Sequence, residues 1–298
     1  MSKATVDIVI TTYKGRELLK KNLPRVIKLS PTVKKIIVII DDGGKDDTKK
    51  FLQEKYPQIK VLSNKKNIGF VKSTNKAVAS SKADFVILFN NDVYPTNDYL
   101  KSSLEYFKNK DVFAVTFNEQ HSAPPQVSWQ KGKFHFTRTK DKSQPRYSAW
   151  PSGGTSIIRK SIWEKLGGFN EIYSPGYWED IDIGWRAWKS GYRIVFDPQA
   201  KVVHHHQSTF DLLDKKYVQT LKERNELLFT WLNISDTSLS FSHMMSMILY
   251  SSLHPGYFKV IFKALFRLPQ ANKHLYNSKN QKRTDKEVLA LVNQTLWN

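Results

Sequence analysis

The chain has 298 residues, 40% of them hydrophobic, enough to bury the core of one large or two modest domains, which excludes a disordered protein. Its 47 Lys and Arg against 27 Asp and Glu leave a formal charge of +20, which points to an anionic partner: nucleic acid, acidic lipid headgroups or a phosphorylated substrate. There is no cysteine, so disulfides and thiolate metal sites are excluded.

From Met1 the chain passes directly into a strand-like run, Val6 to Thr12, without the apolar region and cleavage site of a signal peptide, so a cytoplasmic protein is expected. A helical segment follows around Glu17 to Leu29, then the almost wholly apolar strand Lys35 to Ile40. Next come a helix through Phe51 and Leu52, a short strand at Ile59 to Leu62, a helix around Ser73 to Ser80 and the strand Asp84 to Phe89. Strands alternating with helices, several apolar throughout, predict an α/β fold whose parallel sheet is covered on both faces. In such sheets ligands collect at the carboxyl ends of the strands. Polar clusters stand there: Thr11, Thr12 and Tyr13, then Asp41 and Asp42, then Asn90, Asn91 and Asp92. A carboxylate preceded by two carboxamides offers hard oxygen ligands to a divalent cation, or simply makes a turn before Pro95.

Asn64 to Asn75 has its glycine after a strand but lacks the spacing of a Walker loop or a GxGxxG fingerprint. Asn118 to Trp150 interrupts the alternation with basic and aromatic residues among prolines, and is expected to be a long irregular loop. Pro151 to Arg159 restores a strand, and Ser161 to Leu166 forms a helix stopped by Gly167 and Gly168. In Tyr177 to Trp188 (YWEDIDIGWRAW), Ile181, Trp185 and Trp188 recur at i, i+4, i+7, so a helix begins at the acids Glu179, Asp180 and Asp182. Two readings are open. Asp180 at the positive end of that helix can act as a general base, or it is an N-cap while Asp182 pairs with Arg186. Gly191 to Val203 reads as two extended pieces around Asp197 and Pro198. His204, His205 and His206 follow it as a solvated loop or as metal ligands.

Taken in order, TTYKGRELL, IIDDGGKDDT, NIGFVKSTNKAV, LFNNDV, GGTSIIRKSIWEKLGGFNE, WEDIDIGWRAWKSGYRI, the Pro198-x5-His204 spacing and RNELLFTW resemble inverting glycosyltransferases of family two. Their rhamnosyltransferase-like bacterial branch, which builds cell-surface glycans, is the most similar. The resemblance implies the GT-A nucleotide-diphospho-sugar transferase fold and a Mg²⁺ or Mn²⁺ cofactor. It also implies a nucleotide-diphospho-sugar donor (dTDP-rhamnose or a UDP-sugar) and a glycan or polyprenyl-linked acceptor. Carried over by residue, Thr11, Tyr13, Asp41 and Asp42 would hold the nucleoside, and Asn67, Gly69 and Asn75 would lie near the ribose and diphosphate. The family's DxD metal motif falls on Asn90, Asn91 and Asp92, with Asn in place of the first acid. Asp92 would be the main metal ligand and His204 the second, with His205 or His206 as substitutes. Gly153, Gly154 and Trp178 would face the acceptor. Asp180 aligns with the catalytic base, supported by Glu179 and Asp182.

Residues 1–236 are then expected to form the catalytic domain and 237–298 a helical, basic extension. In the extension, Tyr257 to Leu268 carries Lys259, Lys263 and Arg267 at i, i+4, i+8 among bulky apolar residues. That pattern suits a helix in a membrane interface, or one packed on the domain with a solvated basic stripe. The +20 charge favours the membrane, peripherally on the inner face of the plasma membrane. Two rivals remain, a nucleotidyltransferase on a related sheet and a basic nucleic-acid-binding protein. The first leaves the acidic helix without a task, and the second gives no reason for acids at successive strand ends.

Overall fold

The computed structural model describes residues 4–120, 123–139, 141–205, 214–272 and 281–296. Strand β1 (Val6–Thr12) lies between β2 (Lys35–Ile40) and β4 (Phe85–Asn90) and pairs in parallel with both, while β3 (Lys60–Ser63) flanks β2. Helices α1 (Arg16–Lys28), α2 (Thr48–Lys55) and α3 (Phe70–Ala79) are the crossovers, because parallel neighbours need a connection that returns the chain to the starting edge. Covered on both faces, the β-branched runs are buried: Ile37, Val38 and Ile39 of β2 are fully enclosed. Each such side chain contributes roughly 1.5–3 kcal/mol.

The sheet continues through β10 (Thr155–Arg159), β6 (Val112–Glu119), β11 (Arg193–His204) and the edge strand β5 (Val93–Pro95), with the two-residue β9 (Arg146–Tyr147) also on β11. It is mostly, not wholly, parallel, since β10 runs antiparallel between β4 and β6. The chain between β6 and β10 carries no crossover helix, and β10 returns antiparallel to β6. Residues 118–150, expected to be irregular, instead contain a hairpin of β7 (Pro125–Gln130) and β8 (Lys133–Arg138), closed by Lys131 and Gly132, both at positive φ. Its apolar residues alternate: Val127 and Phe134 are buried, and Phe134 packs edge-on against Trp185 and Phe229. The two pieces expected around Pro198 are one strand, β11, with a register shift between Asp197 and Lys201.

Helices α4 (Tyr99–Tyr106) and α5 (Lys160–Lys165) flank the sheet, and α6 (Glu179–Lys189) packs on β11 and on α7 (Lys215–Asn233). Beyond these lie α8 (Thr237–Leu253), α9 (Phe258–Arg267) and α10 (Asp285–Leu291). Asp285 ties the last of them to the body: it accepts from Lys189 Nζ at 2.8 Å and from the backbone N–H groups of Ser235 and Asp236, each at 2.8 Å. Among the described residues no helix is long and apolar enough to cross a membrane.

Candidate active site

The carboxyl ends of β1, β2 and β4 open into a cleft of about 610 Å³. Thr11 and Tyr13 enter it from β1, Asp41 from the end of β2, and Asn90, Asn91 and Asp92 from the end of β4. Asn67 and Gly69 come from the loop before α3, Gly153 and Gly154 from the turn before β10, and Glu179 and Asp180 from the first turn of α6. All of these were predicted from the sequence. Asp41 holds its loop in place, since its carboxylate accepts from the N–H groups of Ile68 (2.9 Å) and Gly69 (2.8 Å) and from Asn64 Nδ2 (2.9 Å). That anchoring starts α3 at Phe70, three residues before the expected start. Asn91 Nδ2 donates to Thr12 Oγ1 at 2.8 Å, pinning the end of β4 to that of β1. Two glycines are required by close approach. At Gly69 (φ +88°) a Cβ would sit 2.8 Å from the Pro175 backbone, and at Gly154 it would sit 2.4 Å from the Asn90 side chain.

Five predicted residues do not line this cleft: His204, which lines an adjoining pocket, and four others. Asp182 is fully buried and serves packing: its carboxylate accepts from Arg186 Nε (2.8 Å), Tyr173 Oη (3.0 Å) and Asn233 Nδ2 (2.9 Å). Its expected pairing with Arg186 is present, and its expected support of Asp180 is replaced by this buried network. Asn75 brackets Phe169, donating to its carbonyl at 2.8 Å and accepting from its N–H at 3.0 Å. Asp42 is buried and accepts from Gly44 N at 2.6 Å within its own turn. Trp178 is buried against Phe136 and Phe229. The sequence shows that these residues are polar or aromatic and close to the site, but not which way the backbone turns them.

Asp180 is not the helix cap. Trp178 occupies that position in a left-handed conformation (φ 76°), preceded by Tyr177 at φ 70°. Two consecutive non-glycine residues there cost on the order of 1–3 kcal/mol each and persist only where the surroundings impose them. Asn225 of α7, fully buried, imposes them: its Nδ2 donates to the carbonyls of Tyr173 (3.2 Å), Gly176 (3.0 Å) and Tyr177 (2.8 Å). This bend delivers Asp180 to the cleft. Burial pushes the Asp180 carboxyl up to about 6, against the lowering effect of the Ile181 and Gly153 backbone donors. Glu179 beside it is pushed well above its usual value by burial and by the Asp180 charge. Its Oε2 is buried with no hydrogen-bond partner among the described residues. The site therefore offers a carboxyl that ionises near pH 6 next to one whose ionisation burial opposes, a pairing suited to accepting a proton.

Behind the cleft, His204 bridges two carboxylates. Its Nε2 lies 3.3 Å from Asp92 Oδ1, and its Nδ1 lies 3.3 Å from Glu119 Oε2. Burial lowers its pKa, but the two carboxylates outweigh that and raise it to about 9. His204 lines an adjoining pocket of about 210 Å³ that Asp180 also lines. Ligands about 2.1 Å from a six-coordinate ion stand about 3.0 Å apart at neighbouring positions. The Asp92–His204 separation is near that edge, and the pair would hold Mg²⁺ or Mn²⁺ once the ion displaces the proton from His204 Nε2. No group of three or more His, Asp or Glu that could hold a metal ion occurs among the described residues. His205 donates its backbone N–H to the Asp92 carbonyl at 3.3 Å, and its ring lies beside Tyr94. His206 lies outside the described residues.

Sequence reasoning missed Glu119 and Asn225. Glu119 ends the apolar strand β6 as Asp41 follows β2, so an acid after a buried strand was the available signal. For Asn225 the signal was a polar residue between Leu221 and Leu228 in the buried stripe of α7.

Comparison with known proteins gives this arrangement a lineage. The family described as glycosyltransferase like family 2 matches residues 4–219. The chain is 23% identical over 203 residues to the N-acetylglucosaminyl-diphospho-decaprenol L-rhamnosyltransferase of Mycobacterium tuberculosis, covering 57% of this chain and 66% of that one. It is 29% identical over 184 residues to the O-antigen chain rhamnosyltransferase WbaN of Salmonella anatum, covering 58% and 57%. The chain thus spans a little under two thirds of these relatives' lengths. In fold it is similar to GalNAc-T7 solved with UDP, GalNAc and Mn²⁺ (TM-score 0.64, 15% identity, 78% of this chain and 48% of that one). It is also similar to the mannosyltransferase PcManGT of Pyrobaculum calidifontis, solved with GDP-Man and Mn²⁺ (TM-score 0.58, 14% identity, 90% and 73%). At these identities the structural likeness speaks for the fold, a GT-A α/β architecture.

Proposed function

The chain belongs to glycosyltransferase family 2, and from that premise we propose an inverting transfer of a sugar from a nucleotide diphosphate to an acceptor hydroxyl. One observation carries the reading: Asp180, with its raised pKa, and Asp92, in contact with His204, line a single cleft. Thr11, Tyr13 and Asp41 border the nucleoside, and Asn67 and Gly69 the diphosphate. Asp92 and His204 would hold Mg²⁺ or Mn²⁺, which when bound offsets the negative charge developing on the leaving diphosphate. Asp180 takes the proton of the acceptor hydroxyl as its oxygen attacks the anomeric carbon from the opposite side. Burial opposes a charge on Glu179, Arg186 pairs with that of Asp182, and Gly153 keeps room for the acceptor against Asp180. The rhamnosyltransferase relatives favour a dTDP-rhamnose or UDP-sugar donor and a glycan or polyprenyl-linked acceptor in cell-surface polysaccharide synthesis. An acceptor of that kind brings the enzyme to an anionic membrane surface. Residues 1–236 form the catalytic unit in this reading and 237–298 its extension.

The test is donor hydrolysis with UDP-, dTDP- and GDP-sugars, with Mn²⁺ and with chelator. Release of nucleoside diphosphate only with the ion, and its loss in Asp92→Ala, is the expected result. Hydrolysis indifferent to both would defeat the reading.

A further inference from the structure

Helix α8 keeps most of its apolar side chains on the outside. Its inward face is mixed: Leu239 and Met247 pack on the core, Ser242 Oγ accepts from Trp129 Nε1 at 2.9 Å, His243 Nδ1 lies 2.9 Å from the Gly132 carbonyl, and Ser251 is buried. Its outward face carries Phe241, Met244, Met245, Ile248, Leu249 and Leu253, spaced i, i+3, i+4, i+7, i+8, i+12, with Leu249 64% exposed. The neighbouring α9 buries Val260 and Ala264 and turns Phe258, Phe262, Leu265 and Phe266 outward, the last 80% exposed. Of the thirteen large apolar side chains exposed among the described residues, all but Phe136 and Tyr217 belong to these two helices. A concentration of this kind marks an interaction surface, because single exposed apolar residues are ordinary and a contiguous set is not.

Charge decides the occupant. Between Asp236 and Asp285 the sequence has no acidic residue, while Lys259, Lys263 and Arg267 accompany the apolar side chains of α9. A second copy meeting this face about a two-fold axis would set those cations against their own counterparts with no acid to answer them. An anionic bilayer answers them, with phospholipid headgroups at the level of the lysines and acyl chains to receive the phenylalanines and leucines. We propose that α8 and α9 together form a docking face that inserts into the interface of an anionic lipid membrane. The purpose of docking rests on the reading of a lipid-linked acceptor; the docking itself rests on α8 and α9.

Flotation of the full chain separates these. Vesicles of phosphatidylcholine mixed with phosphatidylglycerol are compared with vesicles of phosphatidylcholine alone. The chain should float with the anionic vesicles. Leu249→Glu with Phe266→Glu should weaken binding about tenfold or more, and Lys259→Glu with Lys263→Glu should abolish the preference for anionic lipid. Both variants should keep the circular dichroism and the Mn²⁺-dependent donor hydrolysis of the parent. Absence of flotation, or flotation of the Leu249→Glu, Phe266→Glu variant equal to the parent's, overturns the proposal. So does a dimer in light scattering that this variant dissociates while vesicles bind neither form, since the face would then belong to a second copy. Flotation without donor hydrolysis would instead overturn the catalytic reading and leave the docking face standing.

Discussion

Asp180 carries two opposing demands. In the proposed role of base it must be ionised, yet burial favours its neutral form, so activity should depend on pH near its pKa of about 6. The expected profile of kcat/KM falls tenfold per pH unit below about 6 and is flat above it; a profile flat down to pH 5 would remove Asp180 from the role. The same shift sets a stability cost with a definite sign. The folded-state pKa lies above the ordinary 3.8, so the folded chain binds the proton more tightly than the unfolded chain, and stability is lost as pH rises from about 4 to about 6. That gap corresponds to roughly 3 kcal/mol at neutral pH. Asp180→Asn, which cannot ionise, should therefore unfold at a higher temperature than the parent at pH 8 and at much the same temperature at pH 4, while turning over no donor. Thermal melts at both pH values check this. Glu119 invites a different test, because its Oε2 lies against His204 Nδ1 and leaves Nε2 toward Asp92. Glu119→Gln should weaken Mn²⁺ binding by about tenfold or more in titration calorimetry, with the fold intact and Asp180-dependent pH behaviour unchanged.

At the scale of elements, the join between α7 and the start of α6 governs where Asp180 points. Asn225 holds three carbonyls of the bend, at Tyr173, Gly176 and Tyr177, from inside the core. Asn225→Ala would leave buried carbonyls unpaired at about 1–3 kcal/mol and free Tyr177 and Trp178 to leave their left-handed conformations. We expect kcat to fall more than tenfold with a smaller change in donor affinity, since most donor-side residues stand at the ends of β1, β2 and β4 and only Gly69, in the loop before α3, packs on the bend at Pro175. Equal losses in both would mean that the bend serves folding only. This join also shows what a sequence discloses and what it withholds. The strands and helices up to β4 follow from period and apolar content, and the polar residues at the strand ends were legible because β1, β2 and β4 all point their carboxyl ends at one edge. The hairpin β7–β8 was hidden by its prolines and basic residues, though Val127, Trp129, Phe134 and Phe136 carry the alternation. The separation of Asp180 from Asp182, one in the cleft and one in the core, depends on the left-handed pair before them, and no local pattern announces a bend that a distant asparagine enforces.

Across the whole molecule, residues 237–298 meet the preceding chain through several hydrogen bonds and a buried ion pair, among them Asn293 to Val127 and Arg283 to the Trp188 carbonyl. Lys189 at the end of α6 is 3% exposed and Asp285 fully enclosed, with Nζ and Oδ1 2.8 Å apart. Trp185 Nε1 donates to the same oxygen at 3.3 Å. Taking the extension away removes the only acid paired with Lys189 among the described residues and strands an ammonium in the core, so truncation after residue 236 tests stability before it tests membrane binding. A point substitution isolates the effect. Asp285→Ala leaves Lys189 with only the neutral Asn233 carbonyl and Ser235 hydroxyl and the Ser235 and Asp236 N–H groups without their acceptor, a loss of about 3–5 kcal/mol by the usual cost of breaking a buried pair. The neighbouring pair of Lys286 with Asp236 has a 3.1 Å contact but a lysine 62% exposed, and Lys286→Ala should cost no more than about 1 kcal/mol. Denaturant melts of the two variants, followed by tryptophan fluorescence because Trp185 and Trp188 lie at this joint, should separate them clearly. A midpoint for Asp285→Ala indistinguishable from that of Lys286→Ala would show that the extension is held by its apolar contacts instead, and truncation would then become a clean test of docking.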